Sequence, residues 1–541
     1  MRLPRDIGPL LAILSMQAYL LVGGSPVWAG LANEGSAGLY VRSIPQVLAL
    51  PEGQVDLATA ALIVSEKWSD VVQGLRYRER IDAMAYHIQQ MLHDQSLPAD
   101  HRAIGLINQY LFRELGFYAV PHAKDANDLF LHSVLDRRRG YCLSLSILYL
   151  AIGERLGLPL YGVVVPGHFF VRYDDGNIRI NIETTHNGGQ ATDQYYMVAN
   201  HVPEGHGLYL KNLTKHQTLA CLFNNLGVVY IDTGYLDLAI EALELGVRIV
   251  PDLAEIRANL ANAYARKGLW DHALTQYNYA CRLNPNDLKI RQSLASLYLS
   301  TDQPDLAIIH LRQSIELDPN AADSYVQLSM AYQQKGQYSA ALEAARSGLE
   351  RDPAYPGLYT QMGQVYLQQQ DYQRAQEAFL KAAALAPQDP QPDLGLGVCY
   401  LKAGRLDLAA SRFKKVLAVD KTNVAALVNL AHCYLANKEY ANAIEQYTQA
   451  LAIRPNDPSI HYNIGSVYAR QAQWAQAAEW FRKALALDPT QGQAHHGLAV
   501  CLYNMGDYQG AWQHLQAAKN NGVEVPADLE QAISQKAGTT P

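Results

Sequence analysis

Three residues in the first part of the chain have side chains suited to nucleophilic catalysis: Cys142, His168 and Glu183. A cysteine thiolate attacks carbonyl carbon, an imidazole accepts its proton, and a carboxylate holds the imidazole in the required orientation. If the fold brings them together, the chemistry is transfer of an acyl group from an amide to water or an amine. Because they are far apart in sequence, the helices and strands between them must position them.

The residues around Cys142 predict a thiol at the first turn of a buried helix. Arg137–Gly140 interrupts the chain, and the nearly all-apolar run after Cys142 ends near Gly157. Unpaired N–H groups and the helix dipole at such an N-terminus favour an anion, which lowers the pKa of a thiol. The backbone N–H of Cys142 would then be one donor to an oxyanion. A buried, unreactive thiol is the alternative, because most cysteines behave as small apolar residues.

Three strands are predicted after that helix, each a short run rich in β-branched and aromatic residues. Asp-Gly between the last two is typical of a hairpin closed by a two-residue type I′ turn. The predicted strands are Leu160–Val165, Gly167–Tyr173 and Ile178–Thr185, and the predicted turn is Asp175-Gly176.

With that turn, the hairpin register places His168 directly opposite Glu183. Facing residues have Cβ atoms about 4.5–5.5 Å apart, close enough for the carboxylate to orient the imidazole. The same register places Arg172 opposite Arg179, a like-charge pair that is unfavourable unless solvated. A shift by one residue would be worse, because it would mix the apolar and polar faces of both strands.

The segment from about Ser43 to Lys215 resembles the transglutaminase-like superfamily of papain-type fold, in particular its bacterial branch. The resemblance consists of a helix-borne cysteine, then a histidine and an acid on consecutive antiparallel strands. The motifs that carry it are Gly140-Tyr141-Cys142-Leu143-Ser144-Leu145-Ser146, Gly167-His168-Phe169 and Glu183-Thr184-Thr185. It implies that Cys142 is the nucleophile, His168 the base and Glu183 the orienting acid.

Two positions depart from the pattern of that superfamily. Glu183 stands where aspartate is usual, so its carboxylate reaches one methylene further. Leu143 stands where the cross-linking transglutaminases have tryptophan. The superfamily also contains peptidases, amidases and non-catalytic members, and the reaction is left open among them.

From Ala220 to about Pro526 one 34-residue pattern repeats nine times. Each unit is typical of two helices joined by a turn, with apolar residues three and four positions apart. The eighth position always has a small residue, which lets the two helices approach closely: Gly227, Ala261, Ala295, Ser329, Gly363, Gly397, Ala431, Gly465 and Ala499. This pattern resembles the tetratricopeptide repeat.

The resemblance to tetratricopeptide repeats implies that the first helix of each unit lines a concave groove. Groove positions here include amides such as Asn224, Asn262 and Gln364, and few are charged. Such side chains can bind the backbone of an extended peptide, so we expect a polypeptide ligand. A purely structural role for the array, as a spacer, is the alternative.

Composition and charge restrict the classes of partner. A chain of 541 residues with 49% hydrophobic residues holds several globular domains, and a net charge of −7 without a basic run argues against nucleic acid. Six cysteines are too few for a disulfide framework. Five of them lie in the repeats and are expected to be core residues: Cys221, Cys281, Cys399, Cys433 and Cys501.

The first 29 residues have the pattern of a secretory signal peptide. Arg2 and Arg5 form a basic start, Leu10–Val22 is an apolar core too short to span a membrane, and Ala29 precedes the expected cleavage. We therefore expect export, to a bacterial periplasm, and no stable membrane span in the mature chain. An uncleaved membrane anchor is the alternative.

The predicted organisation is a signal peptide at 1–29, a linker at 30–42, an α+β transglutaminase-like domain at 43–215, nine tetratricopeptide repeats at 220–525, and a capping helix and tail at 526–541. The fold class is thus an α+β domain followed by an all-α solenoid. Residues 43–215 are called the thiol domain below.

Two functions fit these observations. In the first, the exported protein hydrolyses or transfers a protein or peptide amide through Cys142 while the repeats bind polypeptides. In the second, it is a non-catalytic interaction scaffold with a degenerate thiol domain. No cofactor and no metal are expected, because the spacings of His168, His186, His201 and His206 match no tight ligand motif.

Overall fold

The computed structural model describes residues 36–69, 73–200, 202 and 207–538. The predicted signal peptide and the first part of the predicted linker lie outside these residues. Every helix in the described ranges is too short or too polar to span a membrane. The chain divides between Leu297 and Tyr298 into two compact units, which are described separately.

The first unit begins with seven helices of the thiol domain, in the described part of the chain. The helix that begins at Ala103 continues through a wider π-helical turn to Glu114. The helices are α1 (Ile44–Leu48), α2 (Leu57–Trp68), α3 (Gly74–Asp94), α4 (Ala103–Asn108), α5 (Leu131–Arg137), α6 (Cys142–Arg155) and α7 (Asp193–Ala199).

The strands of the thiol domain form an antiparallel four-stranded sheet in chain order and a separate parallel pair. The pair is β1 (Tyr118–Ala119) with β2 (Arg139–Gly140), and the sheet is β3 (Leu160–Val165), β4 (His168–Asp174), β5 (Arg179–Glu183) and β6 (Gly189–Gln190). Both β3 and β4 pack against α6.

Helix α6 is the centre of the thiol domain because its sequence has almost no polar face. All but one of its residues are buried, including Ser144 and Ser146. It ends at Leu156, after which Gly157 adopts a φ of +68° and Leu158 N–H donates to Gly153 O at 2.9 Å. This left-handed glycine ends the helix and turns the chain into β3.

The predicted hairpin register is wrong by two residues. The structure pairs Asp174 with Arg179 and Val171 with Ile182, and the residues at the tip are Gly176 and Asn177. The turn moves one residue later because Asp175 Oδ1 accepts the N–H groups of Asn177 and Ile178, at 2.8 and 2.7 Å. A two-residue shift keeps every side chain on its predicted face.

The shifted register also removes the predicted like-charge pair. Arg172 lies opposite Asn181 rather than Arg179, and its Nε donates to Asn181 Oδ1 at 2.7 Å. Arg179 instead lies opposite Asp174, with which it forms an ion pair at 3.0 Å. Complementary cross-strand pairs therefore replace the unfavourable one.

The remaining helices form the repeat array, with two helices in each 34-residue repeat. The array helices in the first compact unit are α8 (Lys215–Thr233), α9 (Leu236–Ile249), α10 (Ala254–Arg266) and α11 (Trp270–Leu283). The boundary between the two compact units falls within α12 (Leu288–Ser300). The second unit continues with α13 (Pro304–Leu317), α14 (Ala322–Gln334), α15 (Tyr338–Arg351), α16 (Pro356–Gln368), α17 (Tyr372–Leu385), α18 (Pro390–Lys402), α19 (Leu406–Val419), α20 (Val424–Ala436), α21 (Tyr440–Ile453), α22 (Pro458–Arg470), α23 (Trp474–Leu487), α24 (Gly492–Met505), α25 (Tyr508–Asn520) and α26 (Ala527–Ala537). The predicted fold class, an α+β domain followed by an all-α solenoid, is confirmed.

The small residue at the eighth repeat position contacts the second helix of its own unit. A Cβ on Gly363 would lie 2.6 Å from the ring of Phe379, and a Cβ on Gly397 would lie 2.4 Å from Phe413. At Ala499 the corresponding residue is the smaller Leu515, whereas Ala261 and Ala431 correspond to Tyr277 and Tyr447. In the repeats that pair glycine with phenylalanine, the absence of a Cβ is therefore what makes room for the ring.

Candidate active site

Cys142 is the first residue of α6, and its side chain is 4% exposed. The start of the helix is held from two sides. Ser144 Oγ accepts the N–H of Tyr141 at 2.9 Å and donates to Asp128 O at 2.6 Å. Thr184, just after β5, donates through Oγ1 to Cys142 O at 3.4 Å. The first N–H groups of a helix have no acceptor within that helix, so the N–H of Cys142, next to its own thiol, can donate to a ligand.

His168 is the first residue of β4 and follows a tight turn. Val165 and His168 pair across Pro166-Gly167, and Gly167 has a φ of +72°. Proline followed by a left-handed glycine is the preferred pair for the centre of a type II turn. The turn therefore sets the imidazole at the end of the sheet.

Glu183, the last residue of β5, is in contact with His168. Glu183 Oε2 lies 2.6 Å from His168 Nε2. In the observed register, Glu183 continues opposite Phe170, so it reaches His168 along the diagonal of the hairpin. Diagonal neighbours are about 7–8 Å apart, a distance that long side chains can span. The extra methylene of glutamate, compared with aspartate, supplies that reach.

The carboxylate of Glu183 has hydrogen-bond partners on both oxygens. Oε2 accepts from Tyr196 OH at 2.9 Å in addition to His168. Oε1 accepts from the N–H and the hydroxyl of Thr185, at 3.1 and 2.6 Å. Tyr196, on α7, stacks on Phe170 with ring centroids 4.0 Å apart, which fixes its hydroxyl. The acid is thus held in one orientation.

The pKa values of this pair move apart. Burial lowers the pKa of His168, but hydrogen bonds with Cys142 and Glu183 and their negative charges raise it to about 10. Burial raises the pKa of Glu183, but hydrogen bonds with His168 and Thr185 lower it to about 2. Both groups are therefore charged at neutral pH, as an imidazolium and a carboxylate.

The thiol of Cys142 has two polar neighbours. The imidazole of His168 and the hydroxyl of Tyr141 line the same cavity as the thiol and interact with it. Because His168 uses Nε2 for Glu183, its other ring nitrogen, Nδ1, is the one left for the sulfur. Burial and the neighbouring Cys142 raise the pKa of Tyr141 to about 12, so its hydroxyl remains a donor. The predicted nucleophile, base and acid form one connected series.

The five cysteines of the array are in a different environment. Burial raises the pKa of Cys221 to about 12 and those of Cys399, Cys433 and Cys501 to about 11, and it also raises that of Cys281. These thiols are therefore protonated at neutral pH, which is the unreactive form.

Cys142 and His168 line a cavity of about 360 Å³ within the first unit. One wall belongs to the thiol domain and includes Tyr141, Leu143, Val165 and Phe169. The opposite wall, called the repeat wall below, belongs to α8, α10 and α12 and the turns before them: Cys221, Asn224, Asn225, Val228, Leu253, Glu255, Ala258, Asn259, Asp287, Lys289 and Ile290. A ligand at Cys142 would therefore contact the first three repeats.

Sequence reasoning did not identify Tyr141, Thr185 or Tyr196 as parts of this site. Tyr141 and Thr185 lie within the quoted motifs, so their closeness to Cys142 and Glu183 was an available signal. No signal in the sequence pointed to Tyr196, because α7 reaches Glu183 only through tertiary packing. Within the described residues no group of three or more His, Cys, Asp or Glu side chains could hold a metal, and His201 and His206 lie outside them.

Fold and site define a transglutaminase-like domain followed by tetratricopeptide repeats, and comparison with known families agrees. A model described as "Transglutaminase-like superfamily" matches residues 75–209. Models of the tetratricopeptide repeat match 222–252, 288–321, 310–343, 360–418, 432–472, 458–491 and 480–513.

The chain belongs to the UPF0162 protein family. It is 30% identical to the UPF0162 protein of Xylella fastidiosa (strain 9a5c) over 213 residues, which are 37% of this chain and 73% of that protein. A shorter stretch of 52 residues is 46% identical to human F-box only protein 21, covering 10% of this chain and 8% of that one.

Parts of the chain are similar to solved structures. One is a repeat protein from Parabacteroides merdae, with a TM-score of 0.40, 19% identity, and coverage of 46% of this chain and 98% of that one. Another is pilF of Pseudomonas aeruginosa, with a TM-score of 0.35, 20% identity, and coverage of 38% and 94%.

Proposed function

We propose that this protein is an exported thiol enzyme that hydrolyses or transfers an amide of a polypeptide, and that its repeats bind polypeptides. The observation that carries the proposal is the connected series from Cys142 through His168 to a fully hydrogen-bonded Glu183. An acid with donors on both oxygens orients the imidazole, and the imidazole contacts the thiol. This is the arrangement that nucleophile, base and orienter require.

The reaction follows from the protonation states. His168 carries the proton of the thiol, so that Cys142 attacks the carbonyl carbon as a thiolate and a C–S bond forms. The N–H of Cys142 donates to the resulting oxyanion. The C–N bond then breaks, His168 gives its proton to the leaving amine, and a thioester remains. Water or a second amine attacks the thioester, His168 accepts the proton of that attacking group, and the thiolate is regenerated.

Export rests on the N-terminal sequence alone, because residues 1–29 lie outside the described part of the chain. Expression of the full chain in a Gram-negative host, followed by N-terminal sequencing of the periplasmic fraction, tests it. The expected N-terminus is Gly30, after cleavage behind Ala29. An intact N-terminus in the membrane fraction would contradict export of a soluble form.

Iodoacetamide tests the nucleophile directly. At pH 6, Cys142 should react at least about tenfold faster than the repeat cysteines, whose pKa values burial raises. Peptide mapping by mass spectrometry assigns the alkylated residue. His168→Gln should abolish the difference in alkylation rate between Cys142 and the repeat cysteines. Cys142→Ser, which has no thiol at this position, is the negative control.

Equal rates for Cys142 and the repeat cysteines would favour the second function, a non-catalytic scaffold. The observation that favours this alternative is the 4% exposure of Cys142, which resembles that of the core cysteines Cys399 and Cys433, at 2% and 1%.

A further inference from the structure

The cavity at Cys142 has a wall that the thiol domain does not provide. Its lining includes Asn224, Asn225 and Asn259, from the first helices of the first two repeats. Asn259 Nδ2 donates to Asn224 Oδ1 at 2.8 Å, so these two amides are already oriented. Asn225 makes no side-chain hydrogen bond to any residue that the structure describes.

An unpaired amide facing a nucleophile across a cavity suits the main chain of a peptide. A carboxamide offers both donors and an acceptor, as a peptide group requires. Asn225 can therefore bond the backbone of an extended segment while the adjacent amide or side chain reaches Cys142. Folded protein surfaces cannot enter a cavity of about 360 Å³.

The repeat wall also carries charge. Asp287 Oδ1 accepts the N–H of Ile290 at 3.0 Å, at the start of α12, and Lys289 is exposed. These two residues have opposite charges, and Glu255 is the third acidic or basic residue of the wall.

Glu255 is partly buried in the first turn of α10 and interacts with the hydroxyl of Tyr209, a residue of the thiol domain. Burial and the negative charge of Asp287 raise the pKa of Glu255, which disfavours the ionised carboxylate while the cavity holds no cation. A cationic side chain in the cavity would favour the ionised carboxylate and pair with it.

We infer that the site takes an extended polypeptide segment with a lysine or arginine near the reacting amide, its main chain bound by Asn225 and Asn259 and its cation by Glu255. The repeats are then part of the active site, and not only a tether that gathers substrates. The inference rests on the proposed function, because it assumes that Cys142 reacts.

Peptide chloromethyl ketones provide the test on the full chain. Cys142 thiolate displaces chloride from such a probe, so that a C–S bond forms as the C–Cl bond breaks. One series has lysine at each of the three positions before the reactive group, and the matched series has norleucine there. The rate of Cys142 alkylation is measured by mass spectrometry, with iodoacetamide as the probe that needs no peptide subsite.

At one or more positions the lysine probe should react at least about tenfold faster than the norleucine probe. With each peptide rate divided by the iodoacetamide rate of the same variant, Glu255→Gln should abolish this preference, whereas Tyr209→Phe, which keeps the carboxyl group, should retain it. Asn225→Ala should slow all peptide probes, and Asn262→Ala, on α10 but outside the cavity, should slow none.

Two results would overturn the inference. One is equal rates for lysine and norleucine probes at all three positions; the other is a preference that survives Glu255→Gln. Failure of the proposed function is a different result, in which iodoacetamide alkylates Cys142 no faster than the repeat cysteines.

Discussion

Glu183 contacts His168 along the diagonal of the hairpin, with Oε2 2.6 Å from Nε2, and not from the position directly opposite. The carboxylate must therefore cover more distance than in a directly facing pair. This explains in physical terms why glutamate stands at a position where the superfamily usually has aspartate. The length of the acid and the register of the strands are linked.

Shortening the acid should therefore separate it from the imidazole. Glu183→Asp should lower the rate of Cys142 alkylation at pH 6 by about tenfold or more, because the imidazole loses its orientation. The rate constant for iodoacetamide measures this change. Glu183→Gln is the matched control, since it keeps the length and loses the charge. An unchanged rate in Glu183→Asp would mean that the diagonal contact does not matter.

The pKa values predict how the pair contributes to stability at different pH. The pKa of His168 is raised to about 10, so its contribution is complete below about 6.5 and is lost as the pH rises through about 10. The pKa of Glu183 is lowered to about 2, so its contribution is complete above about 4.5 and is lost as the pH falls through about 2. Both contributions are complete only between pH 4.5 and 6.5.

Urea unfolding of the wild type and of His168→Gln checks this window. The difference in unfolding free energy should be largest between pH 4.5 and 6.5 and should decline toward pH 10. In Cys142→Ser the NMR titration midpoint of His168 should fall, because the thiol contributes to the raised pKa. A midpoint near 6.5 in the wild type would contradict the ion pair.

The helices and strands of the thiol domain that depend on the local pattern of apolar residues could be predicted from the sequence. The apolar run after Cys142 predicted α6, and the short apolar runs predicted β3, β4 and β5 within one or two residues. The hairpin turn could not be predicted, because Asp175 uses its side chain to accept two backbone N–H groups. The predicted pair of Arg172 and Arg179 was the signal that the register was wrong.

The residues that tertiary packing brings to the site could not be predicted from the sequence. Tyr196 reaches Glu183 from a separate helix, and the repeat wall reaches Cys142 from helices that begin more than 70 residues later. Periodicity predicts which face of a helix is apolar, but it does not specify which distant surface that face meets.

Removing the hydroxyl of Tyr196 should weaken the site without disturbing its packing. Tyr196→Phe keeps the ring on Phe170 and leaves Glu183 Oε2 with one donor. Because the acceptor is charged, the unfolding free energy should fall by about 1.5–3 kcal/mol, measured in urea at pH 6. Tyr195→Phe, at an exposed neighbouring ring, should change it by less than about 0.5 kcal/mol. Equal changes in unfolding free energy for the two variants would mean that the Tyr196 hydroxyl does not stabilise the site.

The fit between the small residue and its partner can be tested in the fifth repeat of the array, which lies in the second compact unit. In Gly363→Ala the new Cβ would lie 2.6 Å from the ring of Phe379, so overpacking should cost about 1–3 kcal/mol in spite of the better helix propensity of alanine. Phe379→Leu alone should leave a cavity and cost about 1–3 kcal/mol.

The double variant recreates the Ala499 and Leu515 combination that the last repeat already uses. It should therefore be more stable than the sum of the single effects predicts, by at least about 1 kcal/mol in a double-mutant cycle. Urea unfolding of the four proteins gives this coupling energy. Additive effects would mean that the helix separation in each unit is set elsewhere, because the two side chains would then not compete for one space.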